Sequence, residues 1–305
     1  MSESSMLGPG REFDAIRALV AKWGSAAHGI GDDAAVLDVP AGERVVVSTD
    51  TSVENIHFRR EWLTPAEIGW RATMAALSDL AAMGATPRGI LTAITVPQSW
   101  QATLAEIGEG IGAAVNAANT KIIGGDLSAG TELSITITVL GSASRPLLRS
   151  GARPGDSLYV SGALGGPALA LRAWLAGKTP DAAARERFAK PAAQLAQGSR
   201  LGAQGCSSAI DLSDGLIADA RHLAAASNVT ITIDLDAVPR FPGASAADAA
   251  SSGEEYELLV TAPSRPSQEF TCIGTVSAPS ENPGVIVMSG GARVEFAGGY
   301  DHFSR

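Results

Sequence analysis

Short apolar runs alternate with helix-periodic segments through nearly all of this 305-residue chain, and each kind of segment is punctuated by glycine, proline or aspartate. That alternation restricts the chain to an α/β or α+β architecture. Phe13, Ile16, Leu19, Val20 and Trp23 recur at helical spacing, and Ala34–Leu37 and Arg44–Ser48 read as strands. Thr64-Pro65-Ala66-Glu67 combines capping-box spacing with a proline at the first helical position, which predicts a helix running toward Met83. Gly89–Val96 reads as strand, Trp100–Ala118 as helix, and Lys121–Ile123 as a short strand closed by Gly124-Gly125-Asp126. Leu133–Gly141 alternates as a half-buried strand does. The turn-rich stretch "RSGARPGD", Arg149 to Asp156, marks the crossing between two domains, 1–145 and 146–305. The second domain repeats the pattern, with strands at Leu158–Ser161, Ala209–Leu212, Thr230–Leu235, Tyr256–Thr261 and Phe270–Val276. Its helices fall at Pro167–Leu175, Ala192–Gln204 and Leu216–Ala226, and Val285–Phe296 reads as a terminal hairpin. Pro239–Ser252, poor in large apolar residues, reads as a surface excursion.

A chain of this length buries enough surface to need no disulfide staples. Cys206 and Cys272, without CxxC spacing, are expected as buried small hydrophobes in a reducing compartment. No run approaches the ~18 apolar residues of a membrane span, and the first residues lack the features of a secretory signal. The expectation is a soluble cytoplasmic protein. A net charge of −9 and a pI near 5.0 exclude the basic footprint of non-specific nucleic-acid binding. An acidic protein that binds a phosphorylated ligand needs divalent cations between the two.

The aspartates supply a place for such cations. Asp32 and Asp33 lie in "GIGDDAAVL", Asp50 in "VVVSTDT" beside Ser48 and Thr49, and Asp79 in "LSDLAAMG". Asp126 closes "KIIGGD", and Asp211 and Asp214 flank Ser213 in "IDLSDG". Any one of them alone is an ordinary cap or turn former. Together, at the ends of apolar segments, they would repel one another without cations. Hard oxygen ligands with no histidine or cysteine cluster favour magnesium. "SGALGG", Ser161 to Gly166, is either a phosphate-facing turn or a plain one; "GEGIGA", Gly108 to Ala113, lies inside a helical pattern and is no dinucleotide fingerprint. The P-loop and protein-kinase signatures are missing, and no serine sits in a nucleophile elbow. On chemistry alone His57, Glu254 and Tyr300 are unremarkable.

In order and spacing, the series "GIGDDAAVL", "STDTSVENIHF", "LSDLAAMGA", "KIIGGD", "RSGARPGD", "IDLSDGL", "GEEYELL" and "GYDHF" resembles the thiamine-monophosphate kinases from about Gly29 onward. Single motifs are shared with aminoimidazole ribonucleotide synthetases, selenophosphate synthetases and hydrogenase-maturation dehydratases. The histidine after "STDT" and the terminal "GYDHF" make the resemblance specific. It implies ATP-dependent phosphorylation of thiamine monophosphate to thiamine diphosphate by direct in-line transfer. It also implies a homodimer in which the N-terminal α/β domain (1–145) binds ATP and magnesium and pairs its sheet with a partner's in a barrel-like core. The C-terminal α/β domain (146–305) then completes the site. Carried over, Asp33, Ser48, Thr49, Asp50, Asp79, Asp126, Asp211 and Asp214 are expected as magnesium ligands. Gly125, Asp126, Arg149 and Ser213 are expected at ATP, and His57, Glu254 and Tyr300 at thiamine monophosphate. Glu255 stands where aspartate is usual, Leu127-Ser128 replaces a commoner threonine pair, and Ser52 and Asn55 also depart from the pattern. The competing readings are an aminoimidazole ribonucleotide synthetase-like enzyme and a non-catalytic nucleotide or metal sensor.

Overall fold

The computed structural model describes residues 11–30, 34–279 and 284–296. The chain divides into two compact units, Met1–Leu80 with Thr86–Ser144, and Ala81–Ala85 with Arg145–Arg305. The first contains α1 (Arg11–Trp23), β1 (Arg44–Val53), α2 (Pro65–Ala82, whose last two residues belong to the second unit) and β2 (Thr86–Val96). It continues with α3 (Leu104–Ala117), β3 (Ile122–Ala129) and β4 (Ser134–Ala143). The four strands form one sheet in the order β1-β4-β2-β3, antiparallel except for the β2–β3 pair.

The start of α2 follows directly from the chain. Thr64 N–H donates to the Glu67 carboxylate at 2.8 Å while Glu67 N–H donates to Thr64 Oγ1 at 3.3 Å, a reciprocal cap ahead of Pro65. Ile135, Ile137 and Val139 of β4 are fully buried, and Leu80 of α2 lies against Gly141 on that strand. The glycines of "GEGIGA" are packing glycines: a β-carbon at Gly110 would fall on the Ala66 carbonyl of α2, and one at Gly108 on Leu19 of α1. The opposite face of the sheet carries Val45 and Val47, with Thr49 and Thr51, whose hydroxyls contact those of Thr138 and Thr136 respectively. There Val45 and Val47 are 57% and 56% exposed.

The second unit contains β5 (Ser157–Val160), α4 (Gly166–Leu175), α5 (Ala182–Ala189), α6 (Leu195–Leu201) and β6 (Ser208–Asp211). It continues with α7 (Leu216–Ser227), β7 (Thr230–Asp234), α8 (Ala246–Ser251), β8 (Leu258–Ala262), β9 (Thr271–Ser277), β10 (Gly284–Ser289) and β11 (Ala292–Val294). Its seven strands form a mixed sheet in the order β11-β10-β7-β9-β5-β8-β6. Leu216, Leu223, Ile231, Ile233, Leu259 and Ile273 are fully buried in its core. Among the described residues, no helix is long and apolar enough to cross a membrane.

Several expectations are corrected. Ala34–Leu37 forms no strand, and Val36 there is 92% exposed: an apolar alternation without a partner strand stays irregular. β3 does not stop at Ile123 but runs through Gly124, Gly125 and Asp126, because β2 pairs with them residue by residue. The helix expected at Ala192–Gln204 shrinks to α6, and α5 precedes it. Within Pro239–Ser252 lies α8, opened by a capping box between Ser245 and Asp248 and burying Ala249 and Ala250. Cys206 is buried, its thiol pushed up to about 12 by burial and then by the Asp156 charge, whereas Cys272 is exposed.

Candidate active site

In the first unit, alternation along β1 turns Ser48 and Asp50 to the helix-covered face and Thr49 to the other. Ser48 Oγ donates to the Asp79 carboxylate on α2 at 2.5 Å, so the strand and helix present their oxygens together. Asp50 Oδ1 accepts the Thr51 N–H at 2.8 Å, which fixes its rotamer. Asp126 stands elsewhere. It is exposed on β3 at the far edge of the sheet, with Ser128 Oγ donating to its carboxylate at 2.8 Å. The register aligns Asp126 with Ala93, Thr136 and Thr51, whereas Asp50 aligns with Ile137, Thr92 and Gly125. Within one chain the two aspartates therefore occupy opposite faces and edges, three strand spacings or about 14 Å apart. Gly125 is constrained by packing as well: a β-carbon there would fall on the Thr92 carbonyl.

His57 sits in a tight loop after β1 in which Asn55 adopts a left-handed backbone. Val53 N–H donates to His57 Nδ1 at 3.0 Å, and His57 N–H returns to the Val53 carbonyl at 3.0 Å. In the neutral ring Nδ1 is thus the acceptor and Nε2 carries the proton.

In the second unit two loops are stitched together. β6 ends at Asp211, which is buried, and Gly215 opens α7 with φ 114°. Glu254 N–H donates to the Ser213 carbonyl at 2.7 Å, and Tyr256 N–H to the Leu212 carbonyl at 2.8 Å. Ser213 and Asp214, expected on the nucleotide side, and Glu254, expected on the acceptor side, are neighbours across one hydrogen bond. Glu254 itself has φ 63° and Tyr256 φ 54°, and the Tyr256 hydroxyl donates to the Glu254 carboxylate. Arg149 is exposed, and its carbonyl accepts from Ser227 Oγ at the C-terminal end of α7. Asp214 lies at the other end of that helix, about 18 Å away by helix rise. Asp33, its neighbour Asp32, and Tyr300 lie outside the described residues.

Three further groups carry features of a functional site without having been expected from the sequence. Asp219 is buried on the first turn of α7 and accepts the N–H groups of Asp214 and Gly215, each at 3.1 Å. Burial, then the charges of Asp211 and Asp214, push its pKa up to about 8. A signal for it exists, because "DLSDGLIAD" carries an acidic residue in the first helical turn. Arg187 and Glu257 give no such signal; Arg187 Nη2 donates to Glu257 Oε1 at 2.5 Å across a long sequence separation. In the turn "SGALGG" the Gly165 N–H donates to Glu255 Oε1 at 2.5 Å and the Leu164 N–H to the Pro239 carbonyl, so these two amides are engaged within the chain.

As metal ligands, the residues at hand offer hard oxygens, the donor type magnesium takes. Among the described residues, no three acidic, histidine or cysteine side chains come together closely enough to hold an ion by themselves. Magnesium is commonly bound through one or two carboxylates with phosphate oxygens and water completing its shell, so the Ser48–Asp79 pair with Asp50 suits a nucleotide-borne ion.

The fold and these loops define a class. Residues 31–143 match the model for the AIR synthase related protein N-terminal domain, and residues 153–286 match that for the C-terminal domain. Within that class the particular kinship is close. The thiamine-monophosphate kinase of Salmonella typhimurium is 36% identical over 303 residues, covering 90% of this chain and 92% of its own. The crystal structure of thiamine-monophosphate kinase from Stenotrophomonas maltophilia superposes with a TM-score of 0.79 at 33% identity, covering 92% of this chain and 96% of its own. AaThiL, solved in complex with AMPPCP and TMP, superposes with a TM-score of 0.78 at 29% identity, covering 96% and 97%. The chain belongs to the thiamine-monophosphate kinase family.

Proposed function

We propose that this protein is a kinase that transfers the γ-phosphoryl group of ATP to thiamine monophosphate, giving thiamine diphosphate and ADP. The observation that supports the reading most is the hydrogen bond from Glu254 N–H to the Ser213 carbonyl, which joins the loops carrying the residues proposed for ATP and for thiamine monophosphate. The relative solved with AMPPCP and TMP binds a ligand of each kind.

A phosphate oxygen of thiamine monophosphate attacks the γ-phosphorus in line. The bond to the β–γ bridging oxygen breaks, and ADP leaves with that electron pair. No enzyme nucleophile takes part, so the chain's contribution is positioning and electrostatics. Ser48, Asp50, Asp79, Asp211 and Asp214 are the proposed holders of magnesium, together with Asp33; Thr49 and Asp126, carried over with them from the resemblance, lie on the other face of the sheet from Ser48 and Asp50. When bound, the ion neutralises charge on the transferring phosphoryl group. Gly125, Arg149 and Ser213 contact ATP. His57 offers its Nε2–H, with Glu254 and Tyr300, to thiamine monophosphate.

The proposed working form is a homodimer. Val45 and Val47 leave an apolar sheet face exposed, which favours covering by a second copy.

The deciding experiment supplies the enzyme with magnesium and ATP, then with thiamine monophosphate, with thiamine, or with no acceptor. The reading expects ADP and thiamine diphosphate in equal amounts with thiamine monophosphate alone. ADP release at equal rate without an acceptor would overturn it and favour a different ATP-using enzyme. Nucleotide binding with no turnover on any acceptor would favour a sensor.

A further inference from the structure

Glu254 and Tyr256 both adopt left-handed backbone, at φ 63° and 54°, although neither is glycine. Residues with a β-carbon avoid that region, so a segment holding two of them must be fixed by its surroundings. Hydrogen bonds from Glu254, Glu255 and Tyr256 N–H to the Ser213 and Leu212 carbonyls hold one side. The other side rests on Arg187. Its Nη2 donates to the Glu255 carbonyl at 3.1 Å, to Glu257 Oε1 at 2.5 Å, and lies 3.5 Å from Glu255 Oε2. The guanidinium thus grips acceptors on both flanks of Tyr256.

Each of those acceptors is fixed in turn. The other carboxylate oxygen of Glu257 accepts from Ser161 Oγ at 2.5 Å, and Ser161 Oγ accepts the Leu258 N–H at 2.8 Å. Gly162 leaves the space that the Glu257 carboxylate fills. Glu255 Oε1 accepts the Gly165 N–H, and both glutamates are buried. Arg187 is carried by α5, which Asp181 caps through the Ala183 N–H at 2.9 Å and which Phe188 anchors edge-on against Trp174. A half-buried cation held by two buried carboxylates on a capped helix is a rigid support.

We infer that Arg187, with Glu257, is a positioning residue for the acceptor side of the site, clamping the Glu254–Tyr256 backbone so that Glu254 faces thiamine monophosphate. This rests on the proposed role of Glu254 as an acceptor contact. Glu254→Gln tests that role, and Arg187→Lys tests the clamp. Lysine keeps the charge, but its nitrogen stops one bond short of Nη2 and lacks the planar fork.

Kinetic constants for both substrates are measured for each variant, beside amide hydrogen exchange at residues 254–256. The expected result is a KM for thiamine monophosphate raised about tenfold or more in both variants. The KM for ATP should stay within about twofold in Arg187→Lys, and exchange at the three amides should quicken in it. A merely structural role would lower the active fraction and leave KM alone. If Glu254→Gln raises that KM but folded Arg187→Lys does not, the clamp is overturned and the acceptor role of Glu254 stands. If Glu254→Gln changes nothing, the acceptor role fails and the inference falls with it, whatever the exchange shows. Should Arg187→Lys not fold, Glu257→Gln, which keeps shape and hydrogen bonding but removes the charge, is read by the same three measurements with the same consequences.

Discussion

The carboxylates of the two units are hard to tell apart by sequence context, yet they live under different physics. Asp79 and Asp50 are half-buried and Asp126 exposed, and they accept from Ser48, from a backbone N–H and from Ser128 respectively. In the C-terminal unit Asp219, Glu255 and Glu257 are buried, and there the chain supplies the compensation itself, through Arg187, Ser161 and backbone N–H groups. Burial demands that a charge be neutralised when the chain folds. A carboxylate near water can keep its charge for a cation from solution. The N-terminal set suits ligand binding, and Asp219, Glu255 and Glu257 of the C-terminal unit hold the loops in place.

The sharpest way to break this contrast is to remove the compensation. Arg187→Met leaves Glu255 and Glu257 buried without their cation and should cost about 3–5 kcal/mol in denaturant unfolding. Adding Glu257→Gln should restore part of that loss. A cost below about 1 kcal/mol would show that the pair is solvated and the contrast false.

Proton uptake offers a smaller test. Burial pushes the Glu255 carboxyl up to about 7 from 4.5, against the opposing pull of Ser252 and Arg187 and with the help of the Glu257 charge. The folded protein thus keeps a proton that the unfolded chain releases. Stability from this group is full below pH 4.5 and is lost as pH rises through about 7. Glu255→Gln should match the wild type near pH 4 and exceed it by roughly 3 kcal/mol near pH 9. Parallel stability curves for the two proteins would refute the assignment.

The smallest effect is expected where a carboxylate is only a cap. Asp181→Ala removes the acceptor for the Ala183 N–H at the start of α5. It should cost about 1 kcal/mol of stability in thermal unfolding, with turnover per folded molecule unchanged.

What the sequence discloses follows from the range of the interactions involved. The Thr64–Glu67 box and Pro65 act within one turn, so α2 is legible to within a residue or so. The aspartate loop "IDLSDG" is legible because turn chemistry is local. By contrast β3 extends through Gly124-Gly125-Asp126 only because β2 pairs with it, and Ala34–Leu37 fails as a strand for want of such a partner. The face that Asp126 occupies depends on register across four strands, which no local pattern encodes. Asp181 ahead of an alanine-rich run announces α5, a signal masked by the longer helix-like stretch that follows it. Arg187 meets Glu257 across seventy residues, and nothing near either one signals the other.

Asp50 tests most directly whether the N-terminal unit's carboxylates are reserved for a cation. Asp50→Asn keeps the shape and the bond from the Thr51 N–H but removes one negative charge beside the Ser48–Asp79 pair. Thermal unfolding of the metal-free variant, measured beside its magnesium-dependent rate of thiamine diphosphate formation, gives the two numbers that matter. The account predicts a melting temperature equal to or above the wild type, because like-charge repulsion is relieved, with a rate lower by about a hundredfold or more. A destabilised protein that keeps its full rate would contradict it.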